Sequence, residues 1–204
     1  MTSIAKEVDR WLKGIEKKNN VDILLAVESG SRAWGFASAD SDYDVRFIYV
    51  KPVDRYLNVF EERDVIEVPI KGDMDVNGWD LKKAFQLLAK SNPVLVEWMN
   101  SPVIYRENSW PLAPLSQLAR KAFQPKAGFH HYLSMAYNNR SKSESKIKIK
   151  SYLYTLRPLL CCQWIIKKKG FPPVLFAHLA KAFLDRNIQM EVNRLQISIS
   201  TRST

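Results

Sequence analysis

Apolar residues recur at helical spacing near the start of the chain, between residues 3 and 18. One stripe of this segment holds Ile4, Val8, Trp11, Leu12 and Ile15. Charged residues occupy the other positions, and Ser3 is available as an N-cap. The pattern predicts an amphipathic helix that ends at Asn19-Asn20.

Three apolar segments with the composition of β-strands follow this helix. They are Val21–Val27, Tyr43–Val50 and Val65–Val76. The third is interrupted near Gly72, and Pro69 marks an edge or a bulge. We therefore expect a small β-sheet in the first half of the chain.

From Asp80 onward the hydrophobic spacing becomes helical. Asp80 can cap a helix that starts at Leu81, and Pro93 starts a further short helix. The later segments also have helical spacing: Leu112–Phe123, Gly128–Asn138, Ile147–Lys168 and Val174–Asn187. The end, Ile197–Thr204, is expected to be a frayed tail. The pattern predicts an α+β domain over residues 1–110 and a helical lobe over residues 111–204.

Composition excludes several classes of protein. With 204 residues, of which 46% are hydrophobic, the chain can bury one substantial core. No run approaches the roughly 18 apolar residues of a membrane span, and no apolar signal segment begins the chain, which predicts a cytoplasmic protein. The neighbouring Cys161 and Cys162 lie in an apolar helical run and are expected to be buried thiols.

The net charge of +10 is distributed unevenly along the chain. Residues 1–113 hold 15 Lys and Arg against 18 Asp and Glu, whereas residues 114–204 hold 16 against 3. An acidic half beside a basic half suits a protein that holds a cation next to a polyanion. A basic surface that serves only solubility remains an alternative.

The segment from Gly30 to Asp44 carries the candidate chemistry. Gly30 and Ser31 follow the first predicted strand, where backbone N–H groups and a hydroxyl can meet phosphate oxygens. Asp42 and Asp44 lie two residues apart at the second strand, so both carboxylates are expected on one face. Their repulsion would be relieved by a divalent cation, and oxygen ligands suit Mg²⁺ or Mn²⁺.

Such a site can transfer a nucleotide if a third carboxylate joins the pair. One metal ion would bridge triphosphate oxygens, and a second would activate an acceptor hydroxyl for attack on the α-phosphorus. Asp75 at the third segment is the preferred third carboxylate, and Asp73 is the reserve. Asp80 is expected to cap a helix instead.

Other polar residues are candidate nucleotide ligands with alternatives left open. Arg32 can reach a phosphate or pair with Glu28 or Asp40. Ser41 can position the triphosphate or cap the turn before Asp42. A second group is spaced i, i+4, i+7 on one predicted helix face and can contact triphosphate or base: Lys150, Tyr154 and Arg157. The competing interpretation places Tyr154 in the core and the two cations at a solvated edge.

These motifs resemble the DNA polymerase beta superfamily, whose signature is a Gly-Ser pair, a spacer, Asp-x-Asp and a later Asp on a neighbouring strand. More narrowly, four stretches are similar to a family of bacterial and phage nucleotidyltransferases, some of them encoded beside RNA ligases: 30–49, 75–83, 91–105 and 150–164. Similarity covers most of residues 20–185, and Arg194–Thr204 departs from it.

The resemblance implies a small mixed sheet flanked by helices, followed by an all-helical lobe. It also implies a metal-dependent transfer of a nucleoside monophosphate from an NTP such as ATP to an acceptor hydroxyl. The basic lobe favours RNA as the acceptor. A protein hydroxyl (AMPylation) and a small molecule stay open, as does a non-catalytic role as a nucleic-acid-binding module or as a partner protein that neutralises a toxin.

Overall fold

The computed structural model describes residues 3–143, 149–168 and 170–201. In chain order, the first half contains α1 Ser3–Asn19, β1 Asp22–Glu28, α2 Gly30–Trp34, β2 Tyr43–Val50, α3 Val53–Tyr56, β3 Val65–Glu67, β4 Met74–Asp80, α4 Leu81–Ala89, α5 Pro93–Met99 and β5 Ile104–Glu107. The second half contains α6 Ser109–Ala122, α7 Pro125–Ser143, α8 Ile149–Lys168, α9 Phe176–Phe183 and α10 Arg186–Thr201.

The strands form one mixed sheet in the order β3-β4-β2-β1-β5. β2 and β4 are parallel, and every other neighbouring pair is antiparallel. The parallel pair lies at the centre of the sheet, and Asp44 of β2 is the partner of Asp75 of β4. The topology therefore brings two acidic side chains from distant parts of the sequence to neighbouring strands.

Helices cover both faces of this sheet because its strands carry apolar side chains on both sides. α1 covers one face through a cluster that includes Val8, Leu12, Val45, Phe47 and Val76. α4, α5 and α6 cover the other face through a cluster that includes Leu25, Ile48, Leu88, Trp98 and Leu115. The predicted α+β fold with a mixed sheet and C-terminal helices is confirmed.

The C-terminal helices have a core of their own, which includes Tyr132, Leu160, Cys161, Phe176 and Ile199. Phe36, from the segment that carries the candidate chemistry, is buried in this core. The two cysteines are buried and free, as expected. No helix among the described residues is long and apolar enough to cross a membrane. The division at residues 110 and 111 stays a prediction.

Three elements differ from the expected pattern. The segment predicted as one strand, Val65–Val76, is a hairpin, because the chain turns at Gly72 and β4 continues to Asp80. The helix predicted over Val174–Asn187 is divided into α9 and α10. The tail expected at Ile197–Thr204 is helical up to Thr201, because Ile199 is buried against the helical core. Residues 202–204 lie outside the described residues.

Candidate active site

Asp44 and Asp75 lie side by side at the centre of the sheet. Neighbouring strands are about 4.8 Å apart, so partners in register carry adjacent side chains on the same face. One nitrogen of Arg46, Nη2, donates to Asp44 Oδ1 at 3.0 Å and to Asp75 Oδ2 at 2.7 Å. Asn77 donates to the other oxygen of Asp75 at 2.7 Å. The two carboxylates therefore form one hydrogen-bonded group.

Gly30 meets this pair from the end of β1. Its φ is +59°, a left-handed conformation that favours glycine. A Cβ at this position would lie 2.1 Å from Asp44 Oδ2. Because Gly30 has no side chain, the backbone of residues 30–41, which we call the α2 corner, can approach the Asp44 carboxylate.

The backbone of Asp44 is held by the end of β1. Its N–H donates to Glu28 Oε1 at 2.8 Å, and its carbonyl accepts from the N–H of Ser29, also at 2.8 Å. Glu28 is 1% exposed and accepts a second hydrogen bond from the hydroxyl of Tyr105. Burial raises the pKa of Glu28, and these two hydrogen bonds oppose that rise. Glu28 therefore positions Asp44 from behind.

Three serine hydroxyls lie together at the α2 corner. Lys150 Nζ donates to Ser38 Oγ at 3.0 Å and to Ser41 Oγ at 2.7 Å. The hydroxyl of Ser31 contacts Ser41 Oγ at 3.4 Å and also bonds the side chain of Tyr154. Helix α8 thereby brings a cation and a phenol to the corner formed by residues 30–41.

Burial and charge act on this group together. The pKa of Asp44 is raised, first by burial and then by the neighbouring Asp75 and Asp42, while Arg46 and Lys150 oppose the rise. Burial lowers the pKa of Lys150, and nearby aspartates oppose that change. The site combines half-buried carboxylates with a half-buried ammonium, an arrangement that suits a cation and a phosphate side by side.

A family model described as "RNA repair pathway DNA polymerase beta family" matches residues 4–202. The chain belongs to this family. The resemblance to the polymerase beta superfamily predicted from the sequence is thereby confirmed.

Two further proteins are similar to this member of the RNA repair polymerase beta family. "Uncharacterized protein YcgL" of Bacillus subtilis (strain 168) is 49% identical over 170 residues, which are 82% of this chain and 65% of the relative's length. A nucleotidyltransferase-like protein from Exiguobacterium sibiricum 255-15, known from a crystal structure, is 12% identical. That comparison has a TM-score of 0.37 and covers 94% of this chain and 73% of that one.

The structure distinguishes the two candidates for the third carboxylate of this polymerase beta family member. Asp75 is the register partner of Asp44, whereas Asp73 is exposed in the turn before β4. Asp42 is exposed but close enough to influence the pKa of Asp44. Within the described residues, no three His, Cys, Asp or Glu side chains already converge as a ready metal site. Arg46 instead lies between Asp44 and Asp75.

Arg32 and Ser41 shape the loop of the α2 corner. Arg32 donates to the carbonyls of Ser41 at 2.6 Å and Asp42 at 3.1 Å, and its guanidinium lies 3.9 Å from the centre of the Tyr43 ring. Ser41 Oγ accepts from the N–H of Ser38 at 2.8 Å, which agrees with the turn interpretation. Neither contact tests the predicted nucleotide binding by these residues, which stays a prediction.

Arg157 contacts the α2 corner from its buried side, where its guanidinium lies 4.3 Å from the centre of the Trp34 ring. It is 1% exposed, pairs with Glu97 at 3.0 Å and donates to the carbonyl of Val174. Glu97 also accepts from Trp34 Nε1 at 3.0 Å and from the hydroxyl of Tyr132 at 2.8 Å. This Glu97 network joins α2, α5, α7 and α8, so Arg157 supports the buried side of the corner. Its predicted contact with a nucleotide stays a prediction.

Several site residues were not predicted from the sequence. Arg46 lies two residues after Asp44, and the period-2 rule that paired Asp42 with Asp44 also places Arg46 on that face. Glu28 ends an apolar strand, where an acidic residue needs hydrogen-bond donors if it is buried. The sequence around Glu97 does not indicate its role, because its hydrogen-bond partners come from three other elements, α2, α7 and α8.

We predict that Gly30→Ala destabilises the protein more than Gly72→Ala does. Both glycines have φ +59°, but a Cβ at Gly72 meets nothing within 4 Å, whereas one at Gly30 meets Asp44. The difference in the free energy of unfolding, measured in urea, should be about 1–3 kcal/mol, the typical cost of forcing a side chain aside. Equal losses would show that Asp44 does not lie against Gly30.

We predict that Arg157→Ala lowers the free energy of unfolding by about 3–5 kcal/mol, because it leaves Glu97 buried without its cation. Arg194→Ala, which removes an exposed i−3 pair with Glu191, is the control and should change the midpoint of urea unfolding little. A similar small change in both variants would rule out the Glu97 network as the support of the corner.

Proposed function

We propose that this chain is a Mg²⁺- or Mn²⁺-dependent nucleotidyltransferase that moves a nucleoside monophosphate from an NTP to a hydroxyl of RNA. The observation that carries the proposal is the in-register pair of Asp44 and Asp75 beside Gly30. Membership of the RNA repair polymerase beta family supports it.

The carboxylates fit a divalent cation at one particular edge. Asp44 Oδ1 faces Arg46, whereas Asp44 Oδ2 faces Gly30 and lies on the side of the Gly-Ser corner. Asp42 lies two residues earlier in the sequence, is exposed and is close enough to Asp44 to raise its pKa. Hard oxygen donors of this kind are typical ligands of Mg²⁺ and Mn²⁺. When bound, the ion would neutralise triphosphate oxygens next to the carboxylates.

The hydroxyls and cations of the corner suit the triphosphate. Lys150 has its ammonium on Ser38 and Ser41, next to Ser31, so the corner presents hydroxyl donors and a positive charge together. These groups would bind the phosphates that leave as pyrophosphate. Tyr154, packed edge-on against Trp34 and Phe36 with ring centres 5.5 and 5.6 Å away, fixes the wall on which they lie.

The proposed reaction exchanges one phosphorus–oxygen bond for another. The acceptor oxygen forms a bond to the α-phosphorus, and the bond from that phosphorus to the pyrophosphate oxygen breaks. Pyrophosphate leaves with the electron pair, and the proton of the acceptor hydroxyl passes to Asp75. Arg46 and Asn77 orient Asp75 for this role through their hydrogen bonds to its two oxygens.

RNA is the proposed acceptor because of the charge on the helical lobe. Exposed cations there include Arg120, Lys121, Lys126, Lys167, Lys168, Lys181 and Arg186. Against these, residues 114–204 hold only 3 acidic residues. A surface of this composition binds a phosphate backbone without requiring a particular sequence.

The test is label transfer from each α-labelled NTP to total RNA, to cell-extract protein or to DNA in the presence of Mg²⁺ or Mn²⁺. We predict label in RNA, and a loss of at least about a hundredfold in Asp44→Asn, because the amide cannot replace the carboxylate charge. Asp22→Asn, an exposed substitution at the start of β1, is the matched control and should retain transfer.

Each other outcome contradicts part of the proposal. Label in protein would replace RNA by a protein hydroxyl as the acceptor. Equal transfer by Asp44→Asn and the unchanged chain would remove the carboxylate pair from the reaction. Label in none of the mixtures would favour a non-catalytic interaction protein.

A further inference from the structure

Arg46 holds a place in this site that neither the sequence motifs nor the family description assigns. Its side chain is 17% exposed and lies between the two carboxylates of the site. We propose that its guanidinium takes the place of a second metal ion, so that the chain binds a single divalent cation. This inference rests on the proposed function, since it concerns the same carboxylates.

The contacts of Arg46 fix its guanidinium at both ends. Nη2 reaches Asp44 Oδ1 and Asp75 Oδ2, while Nη1 donates to the carbonyl of Asp75 at 2.9 Å and to that of Val45 at 3.2 Å. Two of these four acceptors are backbone atoms of neighbouring strands, which do not move independently of the sheet. Arg46 is therefore anchored between the carboxylates.

A second metal ion would need the oxygens that Arg46 already contacts. Mg²⁺ requires its ligands at about 2.0–2.1 Å in a near-octahedral shell, and a guanidinium nitrogen at hydrogen-bonding distance from both oxygens occupies that space. The guanidinium also carries a positive charge of its own. Both the space and the charge therefore oppose an additional cation between Asp44 and Asp75.

One edge of the pair remains suited to an ion. Asp44 Oδ2 lies on the Gly30 side, away from the oxygen that Arg46 contacts. Asp42, exposed just before β2, is close enough to Asp44 to raise its pKa. The carboxylates thus have two unlike sides. The side near Asp42 and Gly30 would hold the ion that accompanies the triphosphate. The side near Asp75 holds the guanidinium of Arg46.

The replacement of a second metal ion by a guanidinium also defines what Arg46 does in nucleotide transfer. A guanidinium can neutralise charge and hold Asp75 in place, but unlike a metal ion it does not coordinate the acceptor oxygen and lower its pKa. The acceptor proton then depends on Asp75 alone. Arg46 is a positioning residue for Asp75, and it reduces the number of metal ions that the site can bind.

The experiment counts Mn²⁺ ions bound per chain, from the electron paramagnetic resonance signal of free Mn²⁺ in a titration of the full chain. We expect one ion for the unchanged chain and two for Arg46→Gln, because the variant frees Asp44 Oδ1 and Asp75 Oδ2. Label transfer by Arg46→Gln should fall at least tenfold although more metal is bound. If Arg46 only supported the fold, Arg46→Gln would lower both Mn²⁺ binding and label transfer.

Two further variants keep the experiment decisive. Arg46→Lys retains a cation and should bind one ion, which tests the inference even if Arg46→Gln does not fold. Arg106→Gln is the matched control, since Arg106 also bridges two carboxylates, Asp9 at 2.7 Å and Glu16 at 2.8 Å, but at β5 and α1. It should still bind one ion.

Two ions bound by the unchanged chain would overturn the inference, as would one ion in a folded Arg46→Gln variant. If the unchanged chain transfers nucleotide and binds two ions, the proposed function stands and only the role of Arg46 is wrong. If it neither transfers nucleotide nor binds Mn²⁺, both proposals fail.

Discussion

Two like charges on neighbouring parallel strands are the constraint around which this site is organised. The register of β2 and β4 brings Asp44 opposite Asp75, with one oxygen of each less than about 6 Å apart, where two unit charges repel by about 3 kcal/mol at an effective dielectric constant of about 20. The sheet cannot relieve this repulsion by moving, because apolar clusters cover both of its faces. A positive charge must therefore be supplied to the pair, and Arg46 supplies one.

The neighbouring elements are arranged to keep the carboxylates accessible at one edge. Glu28 holds the backbone of Asp44 from the buried side, and Gly30, which has no side chain, lets the backbone lie against Asp44 Oδ2. The helical lobe then completes the corner with Lys150 and Tyr154. Glu97 fixes the position of the lobe, because its carboxylate is bonded by side chains of α2, α7 and α8. Helices far apart in the sequence thus contribute to one small surface.

Local spacing was sufficient to predict most of this fold, including the segments that carry Asp44 and Asp75. The bounds of β2 agree with the segment predicted at Tyr43–Val50, and Asp80 caps α4 by accepting from the N–H of Lys82. Such features depend on a few neighbouring residues. The hairpin at Gly72 was not predicted, because a turn within a short segment hardly changes its alternation of apolar and polar residues.

What spacing could not predict depends on contacts between distant segments. The i, i+4, i+7 pattern placed Arg157 on the face of Lys150 and Tyr154, which is correct for the helix. The pattern does not reveal that Glu97, sixty residues earlier, lies at the end of that face and pairs with the guanidinium. Similarly, period-2 spacing places Arg46 on the face of Asp44, but its contact with Asp75 depends on the parallel register of β2 and β4, which local spacing does not reveal.

The most direct measurement of the central claim is the anomalous scattering of Mn²⁺ in crystals grown with a non-hydrolysable NTP. We predict an ion roughly 2 Å from Asp44 Oδ2, on the Gly30 side of the carboxylate pair, with the triphosphate at Ser31 and Lys150. An ion elsewhere, or a structure in which Asp44 and Asp75 point to opposite faces of the sheet, would contradict the account.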